Sequence, residues 1–138
     1  MQKVVIDTNV FVSGLIQRSY PYLIISELFL EGKIHVCISD DLLQEYYSVL
    51  NRKKFAKYPD FVAKAEILIA DIENKSSTFS PKNKLTIISD KDDNKLLELS
   101  EECKANFLIT GNTTDFTIQM YKRTRIVTPK EYWENHKP

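Results

Sequence analysis

Short apolar runs alternate with helical patterns along this chain of 138 residues, and this alternation constrains the fold more than any other feature. The runs that predict strands are residues 3–6, 35–38, 85–88, 107–109 and 125–127. Helical spacing or capping residues predict helices over residues 10–17, 20–30, 40–51, 60–73, 91–104, 113–119 and after Pro129. Strands that alternate with helices predict an α/β fold, in which a parallel central β-sheet is flanked by α-helices on both faces.

Length and composition predict one globular domain over residues 1–138. With 43% hydrophobic and 28% charged residues, the chain has the balance of a folded protein rather than a disordered or fibrous one. Cys37 and Cys103 lack metal-type partner spacing, which favours two reduced core residues. Because no apolar stretch has the length of a signal peptide core or a membrane span, we expect a cytoplasmic protein.

Two acidic residues follow predicted strands, at the sheet edge where ligands bind parallel α/β folds. Asp7 ends the first strand, and Asp115 follows the strand 107–109 through a loop of five residues. Either residue by itself is readily explained as the N-cap of the next helix. The cluster Asp7-Thr8-Asn9 favours a polar pocket instead, because short polar side chains are poor core material at the end of an apolar strand.

Further carboxylates lie on predicted helices. Glu45 borders the apolar stripe of its helix, where it is either an inward ligand or a solvated rim residue. Asp90, Asp92 and Asp93 begin the helix 91–104, and helix capping explains one or two of them. Periodicity places Asp92 and Asp93 about equally far from the apolar stripe and does not choose between them. Carboxylates that converge repel one another unless a cation neutralises them, so the pattern predicts Mg²⁺ or Mn²⁺ and metal-assisted phosphodiester hydrolysis.

Other enzyme classes find little support in the residue inventory. The three glycines form no phosphate-binding loop, and no G-x-S-x-G nucleophile motif occurs. His35 and His136 stand far apart in the sequence, which argues against a zinc site. Phosphatases of the haloacid-dehalogenase type also begin with an Asp after the first strand, but they need a second Asp at the position that Asn9 occupies here.

A local basic patch is the main candidate for RNA contact. The 19 basic and 19 acidic residues cancel, so no general attraction for polyanions is expected. Arg52, Lys53 and Lys54 form a cluster that is either a solvated face or a phosphate contact. Aromatic residues near it in the sequence, Tyr46 among them, are candidate stacking surfaces for bases.

Four motifs, in this order, resemble the PIN-domain family, and most closely the VapC-like toxins of toxin-antitoxin systems. They are Val4-Val-Ile-Asp7-Thr8-Asn9, then Leu42-Leu-Gln-Glu45-Tyr46, then Asp90-Lys-Asp92-Asp93-Asn94-Lys95, then Leu108-Ile-Thr110-Gly-Asn112-Thr-Thr-Asp115-Phe116. The likeness spans nearly the whole chain. It implies a small parallel sheet flanked by helices and an endoribonuclease that depends on Mg²⁺ or Mn²⁺.

The resemblance also assigns site residues. Asp7, Glu45 and Asp93 match the three near-invariant acids of the family, Asp115 matches the fourth, and Asp93 is favoured over Asp92. Asn112 departs from the acid that many relatives carry at that position. Supporting hydrogen bonds are expected from Thr8, Asn9, Thr110 and Asn112.

The resemblance extends to partners, since relatives of this kind are commonly homodimers that an antitoxin protein holds inactive. Two alternatives remain beside the toxin. One is a PIN nuclease that processes RNA without being a toxin, and the other is a catalytically silent module that binds RNA or protein.

Overall fold

A computed structural model describes residues 1–113 and 116–138, and at its centre lies a six-stranded sheet. The strands are β1 (Lys3–Ile6), β2 (His35–Ile38), β3 (Ser77–Thr78), β4 (Phe107–Ile109), β5 (Met120–Tyr121) and β6 (Thr124–Val127). Their order across the sheet is β3-β2-β1-β4-β6-β5. All neighbouring pairs are parallel except β5 and β6, which pair antiparallel.

Helices connect the parallel strands. They are α1 (Thr8–Ile16), α2 (Tyr20–Leu23) with a π-helical continuation over Ile24–Phe29, α3 (Asp40–Leu50), α4 (Phe61–Lys75), α5 (Lys91–Cys103) and α6 (Pro129–Glu131) with a π-helical continuation over Tyr132–His136. A 3₁₀ turn over Lys53–Phe55 lies between α3 and α4. The α/β fold class predicted from the sequence is confirmed.

Strand β1 lies in the middle of the sheet, between β2 and β4. Val4, Val5 and Ile6 are completely buried, so the strand is covered on both faces. This explains why its sequence is an unbroken apolar run rather than an alternating one. The residue after β1 therefore emerges at the centre of the sheet's carboxyl edge, where the amide of Asp7 donates to the carbonyl oxygen of Ile109 at 2.9 Å.

Two of the predicted elements differ in the structure. Residues 85–88 form no strand, because their backbone amides bond to side chains of α5: Leu85 donates to Glu98 at 2.9 Å, and Ile87 and Ile88 both donate to Asn94. The helix predicted over 113–119 includes residues 114 and 115, which lie outside the described part of the chain, and residues 116–119 are not helical.

The two cysteines lie where the sequence placed them. Cys37 on β2 and Cys103 on α5 are buried, and both thiols are free. Within the described residues, none of the helices has both the length and the apolar character needed to cross a bilayer.

Candidate active site

Asp7 lies at the junction of β1 and α1, but its carboxylate does not cap α1. Its backbone is extended, as at an N-cap, but the side chain makes no capping hydrogen bond to the first turn of α1. Instead, Oδ2 accepts a hydrogen bond from the Thr110 hydroxyl at 2.8 Å and a longer one from the Asn9 side-chain amide at 3.5 Å. Helix capping therefore does not explain this acid.

Polar residues join the ends of β1 and β4 around Asp7. Thr110 is fully buried directly after β4, where its backbone amide donates to Val127 on β6. The Asn9 side-chain carbonyl accepts from the Gly111 amide at 3.2 Å, and the Asn112 amide donates to the Thr110 hydroxyl oxygen at 3.1 Å. Asn9 and Thr110 thus both hold the Oδ2 atom of Asp7.

Glu45 reaches the same place from α3. This helix begins after β2 at Ser39, whose hydroxyl oxygen accepts from the Leu42 amide at 3.1 Å and caps it. The Glu45 carboxylate accepts a hydrogen bond from the hydroxyl of Thr8, the residue that follows Asp7. Thr8 is buried and Glu45 half-buried, so the glutamate faces the sheet edge rather than solvent.

Tyr46 connects α3 to the end of β1 through a buried ring and a hydrogen bond. The prediction that Tyr46 offers a stacking surface for bases is therefore wrong. Its ring is completely buried and packs edge-on against Phe11, with ring centroids 4.9 Å apart. Its hydroxyl donates to the carbonyl oxygen of Ile6, one residue before Asp7. A base has no access to this ring. Tyr46 instead holds Glu45 and Asp7 at a fixed separation.

The pKa of Asp7 reflects its burial and the negative charges around it. Burial raises the pKa of its carboxyl above the ordinary value; the Thr110 hydrogen bond lowers it, while the charges of Glu45 and Asp90 raise it further. Burial, with the charges of Asp7 and Glu45, likewise raises the pKa of Tyr46. Carboxylates held together in a half-buried place are the environment that a hard divalent cation stabilises.

The first turn of α5 supplies the remaining acids. Asp90 is the N-cap of this helix, and its carboxylate accepts from the Asp92 amide at 2.8 Å. Asp92 is exposed and lines a cavity that Glu45 also lines, whereas Asp93 is half-buried. Asp90 therefore caps the helix, Asp92 lies at the cavity and Asp93 lies on the more buried side of the helix.

Asn94 is a supporting residue that the sequence analysis did not identify. It is 5% exposed, and its side chain accepts from the Ile87 and Ile88 amides and donates to the Ile88 carbonyl. These bonds hold the segment that leads into α5 against the helix. The signal was present in the sequence, since Asn94 stands three residues before Leu97 on the apolar stripe, where a polar side chain needs a buried partner.

The fourth acid and the basic residues complete the set of predicted site residues. Asp115 lies outside the described residues. Arg52, Lys53 and Lys54 are exposed beyond the carboxyl end of α3, and Lys54 has its ammonium 5.2 Å from the centre of the Phe55 ring. Within residues 1–113 and 116–138, no three acidic, histidine or cysteine side chains form a group able to hold a metal ion. Asp7 and Glu45 supply two carboxylates, with nearby hydroxyls, that suit such an ion.

Comparison with known proteins identifies the family. A family profile described as a PIN domain matches residues 3–114. The chain belongs to the PIN domain family. PIN domains form a nuclease superfamily whose members act on RNA and usually use divalent metals. The matched range contains the candidate acids Asp7, Glu45 and Asp93 and ends one residue before Asp115.

One relative covers nearly the whole chain but has no described function. An uncharacterized protein of Methanocaldococcus jannaschii is 29% identical over 140 aligned residues, which cover 96% of this chain and 90% of the relative. Its description names no substrate, metal or partner.

Proposed function

We propose that the protein is a divalent-metal-dependent endoribonuclease that hydrolyses RNA phosphodiester bonds, with residues 1–138 as one nuclease domain. The observation that carries the proposal is the placement of Asp7 and Glu45. Both reach the carboxyl edge of the sheet, and Thr8 links them through its hydrogen bond to Glu45. The Asp7 carboxylate takes no part in capping α1, which leaves it available to a ligand.

Each acid has a role in the proposed site. Asp7, Glu45 and Asp93 hold a Mg²⁺ or Mn²⁺ ion, and Asp115 is the proposed fourth ligand. When bound, the ion supplies positive charge that polarises the phosphodiester and stabilises the leaving oxygen. The neutral side chains orient the acids by hydrogen bonds, Thr8 for Glu45 and Thr110 and Asn9 for Asp7. Asn112 contributes its backbone amide to Thr110.

Cleavage of a labelled single-stranded RNA tests the proposal. Purified protein is expected to cut it with Mg²⁺ or Mn²⁺, and EDTA is expected to stop the reaction. Asp7→Asn and Asp93→Asn should each lower the rate at least a hundredfold, because changing a residue that only hydrogen-bonds to a metal ligand already costs about 10–100-fold. Asp40→Asn removes an exposed carboxylate at the start of α3 and serves as the control. Cleavage that survives both site substitutions overturns the mechanism.

The cellular role that we propose is that of a toxin in a toxin-antitoxin pair, acting on RNA in the cytoplasm. The resemblance to VapC-like proteins supports it, and the two free, buried cysteines fit a reducing compartment. Expression of the chain should stop growth, and Asp7→Asn should relieve the arrest. Normal growth with an active enzyme would favour the RNA-processing alternative, and inactivity under all metals would favour the silent binding module. The homodimer and the antitoxin stay predictions.

A further inference from the structure

A cavity lies between α3 and α5, beside one of the two acids of the candidate active site. Its volume is about 140 Å³, and Glu45 lines it. Since Glu45 also accepts the Thr8 hydroxyl next to Asp7, one side chain borders both the proposed metal site and this cavity. An RNA strand that binds at the proposed metal site therefore lies next to the side chain that also lines the cavity.

Leucines form the apolar part of the cavity wall. Leu42 on α3 and Leu96 and Leu99 on α5 line it, and each is at most 7% exposed. They belong to the main core, so their positions are fixed by packing on the sheet. A rigid apolar surface of this kind accepts the flat face of a heterocycle at little entropic cost.

The rim of the cavity is polar and carries both charge signs. Asp41 on α3 and Lys95 on α5 face each other across it, with 3.8 Å between the Lys95 ammonium and an Asp41 carboxylate oxygen. Their side chains are 77% and 54% exposed, so this ion pair is weak and open to a ligand. Asp92 lies on the same rim, and the capping hydroxyl of Ser39 borders the cavity as well.

The charges select the class of ligand. Three carboxylates, those of Asp41, Glu45 and Asp92, repel a phosphate group from the cavity. Carboxylates accept hydrogen bonds and the Lys95 ammonium donates them, so the rim fits a neutral ring with N–H donors beside a carbonyl acceptor. Single-stranded RNA offers such rings, because its unpaired bases expose their Watson–Crick edges.

We propose that this cavity is a base-binding subsite that takes guanine from a nucleotide beside the scissile phosphate. Guanine presents two adjacent donors, N1–H and the N2 amino group, and one acceptor, O6. The Asp41 carboxylate accepts both donors and Lys95 donates to O6. Adenine, cytosine and uracil each lack this set of two donors and one acceptor. The proposal rests on the proposed ribonuclease function and deepens it.

Binding of short labelled RNAs tests the subsite. The protein carries Asp7→Asn and Mg²⁺ is present, so that the RNA stays intact while fluorescence anisotropy reports its affinity. The RNAs are adenine oligomers with one central guanine, inosine or adenine. We expect the guanine RNA to bind about tenfold more tightly than the adenine RNA, as for other bidentate base contacts. Inosine, which lacks the N2 amino group, should fall between them.

Two substitutions on the rim separate the contributions. Asp41→Asn should abolish the difference between guanine and inosine, whereas the matched control Asp40→Asn, one residue away and outside this cavity, should keep it. Lys95→Met should lower the affinity for the guanine RNA and for the inosine RNA by the same factor, since both bases carry O6. Both changes are at exposed positions, so the fold should survive them, and thermal unfolding checks this.

The outcomes of binding and cleavage remain distinct. Equal affinity for guanine and adenine RNAs, or a guanine preference that Asp41→Asn leaves intact, overturns the subsite. A wild-type protein that cleaves no RNA overturns the proposed nuclease, yet a guanine preference sensitive to Asp41→Asn would still support the subsite. Cleavage without base preference would leave the nuclease standing and remove the subsite.

Discussion

At the scale of single residues, the charged carboxylate of Asp7 destabilises the folded protein when no metal is bound. Burial and the charges of Glu45 and Asp90 raise the pKa of its carboxyl despite the Thr110 hydrogen bond. Asp7→Asn keeps the shape and removes the charge. We therefore expect this variant to unfold a few degrees higher than the wild type in EDTA at neutral pH, while RNA cleavage is lost.

The pH dependence of this effect follows from the direction of the shift. A carboxyl whose pKa is higher in the folded state stabilises the fold below the unfolded pKa, about 3.9, and loses that contribution as the pH rises through the folded pKa. The stability advantage of Asp7→Asn should thus be largest at neutral pH and should disappear below about pH 3.9. Glu66→Gln, at an exposed position within α4, is the control. An advantage that persists unchanged in acid would contradict the electrostatic explanation.

Tyr46 makes a structural contribution that is separable from RNA binding. Tyr46→Phe removes the hydroxyl that donates to Ile6 and leaves the buried ring in place. We expect the free energy of unfolding in urea to fall by about 1 kcal/mol, the net value of one intramolecular hydrogen bond. RNA affinity should stay within twofold. A large loss of affinity at unchanged stability would instead mean that the ring reaches RNA, and Tyr47→Phe, on the exposed side, gives the baseline.

The sequence predicts the position of an acid that directly follows a strand, but it does not predict hydrogen bonds between residues that are distant in the sequence. The apolar run before Asp7 places that residue at the sheet edge. By contrast, nothing local in the sequence reveals that Thr8 bonds to Glu45 or that Tyr46 bonds to Ile6. These contacts depend on how α3 docks on the sheet, and tyrosine serves equally well as a stacking surface or as a buried donor.

At the scale of elements, the segment before α5 explains why an apolar run is not always a strand. Leu85 to Ile88 has the β-branched composition of a strand, yet its amides are satisfied by Glu98 and Asn94 on α5. The run packs one buried residue, Ile88, and exposes Ile87. Periodicity reports only burial, and it does not distinguish a strand from a segment pinned to a helix by side chains.

Asn94 should therefore control how α5 presents its acids. Asn94→Ala leaves the Ile87 and Ile88 amides and the Ile88 carbonyl without their partner. We expect a loss of about 2–3 kcal/mol in urea unfolding, because buried polar groups are left unsatisfied. The Mg²⁺ concentration for half-maximal cleavage should rise, since the segment carrying Asp90 loosens. The control is Asn74→Ala, at an exposed position on α4, which should change neither the stability nor the Mg²⁺ requirement. If Asn94→Ala leaves the Mg²⁺ requirement unaltered, the segment before α5 does not contribute to the metal site.

At the scale of the whole molecule, the strand order decides which acids meet. Asp7 and Thr110 are 103 residues apart, yet β1 and β4 are parallel neighbours, so the residues that follow them come together. The sequence predicts strands that end in polar residues, but it does not give their order. The sequence predicts that Asp7 and Asp115 converge if the strands before them are neighbours. The pairing of β1 with β4 meets that condition for the strands, while Asp115 itself lies outside the described residues.

The balanced net charge leads to a last prediction about how RNA is held. With a net charge of zero, attraction for RNA has to come from local groups, and Arg52, Lys53 and Lys54 form an exposed group beyond the end of α3. Arg52 lies two residues after Leu50, the last residue of the helix that carries Glu45, so we expect one strand of RNA to reach both the acid and the basic group. Lys53→Gln with Lys54→Gln should weaken binding of every RNA sequence alike.

The salt dependence of binding gives this prediction its quantitative form. For a single strand, each lost phosphate contact lowers the slope of log affinity against log salt by about 0.7, so the double variant should lower it by about 1.4. The control is Lys33→Gln with Lys104→Gln, which neutralises two exposed lysines before β2 and β4, at the opposite edge of the sheet. An equal change in both double variants would show diffuse attraction rather than a bound strand, because only a patch on the path of the RNA releases counterions from specific phosphates.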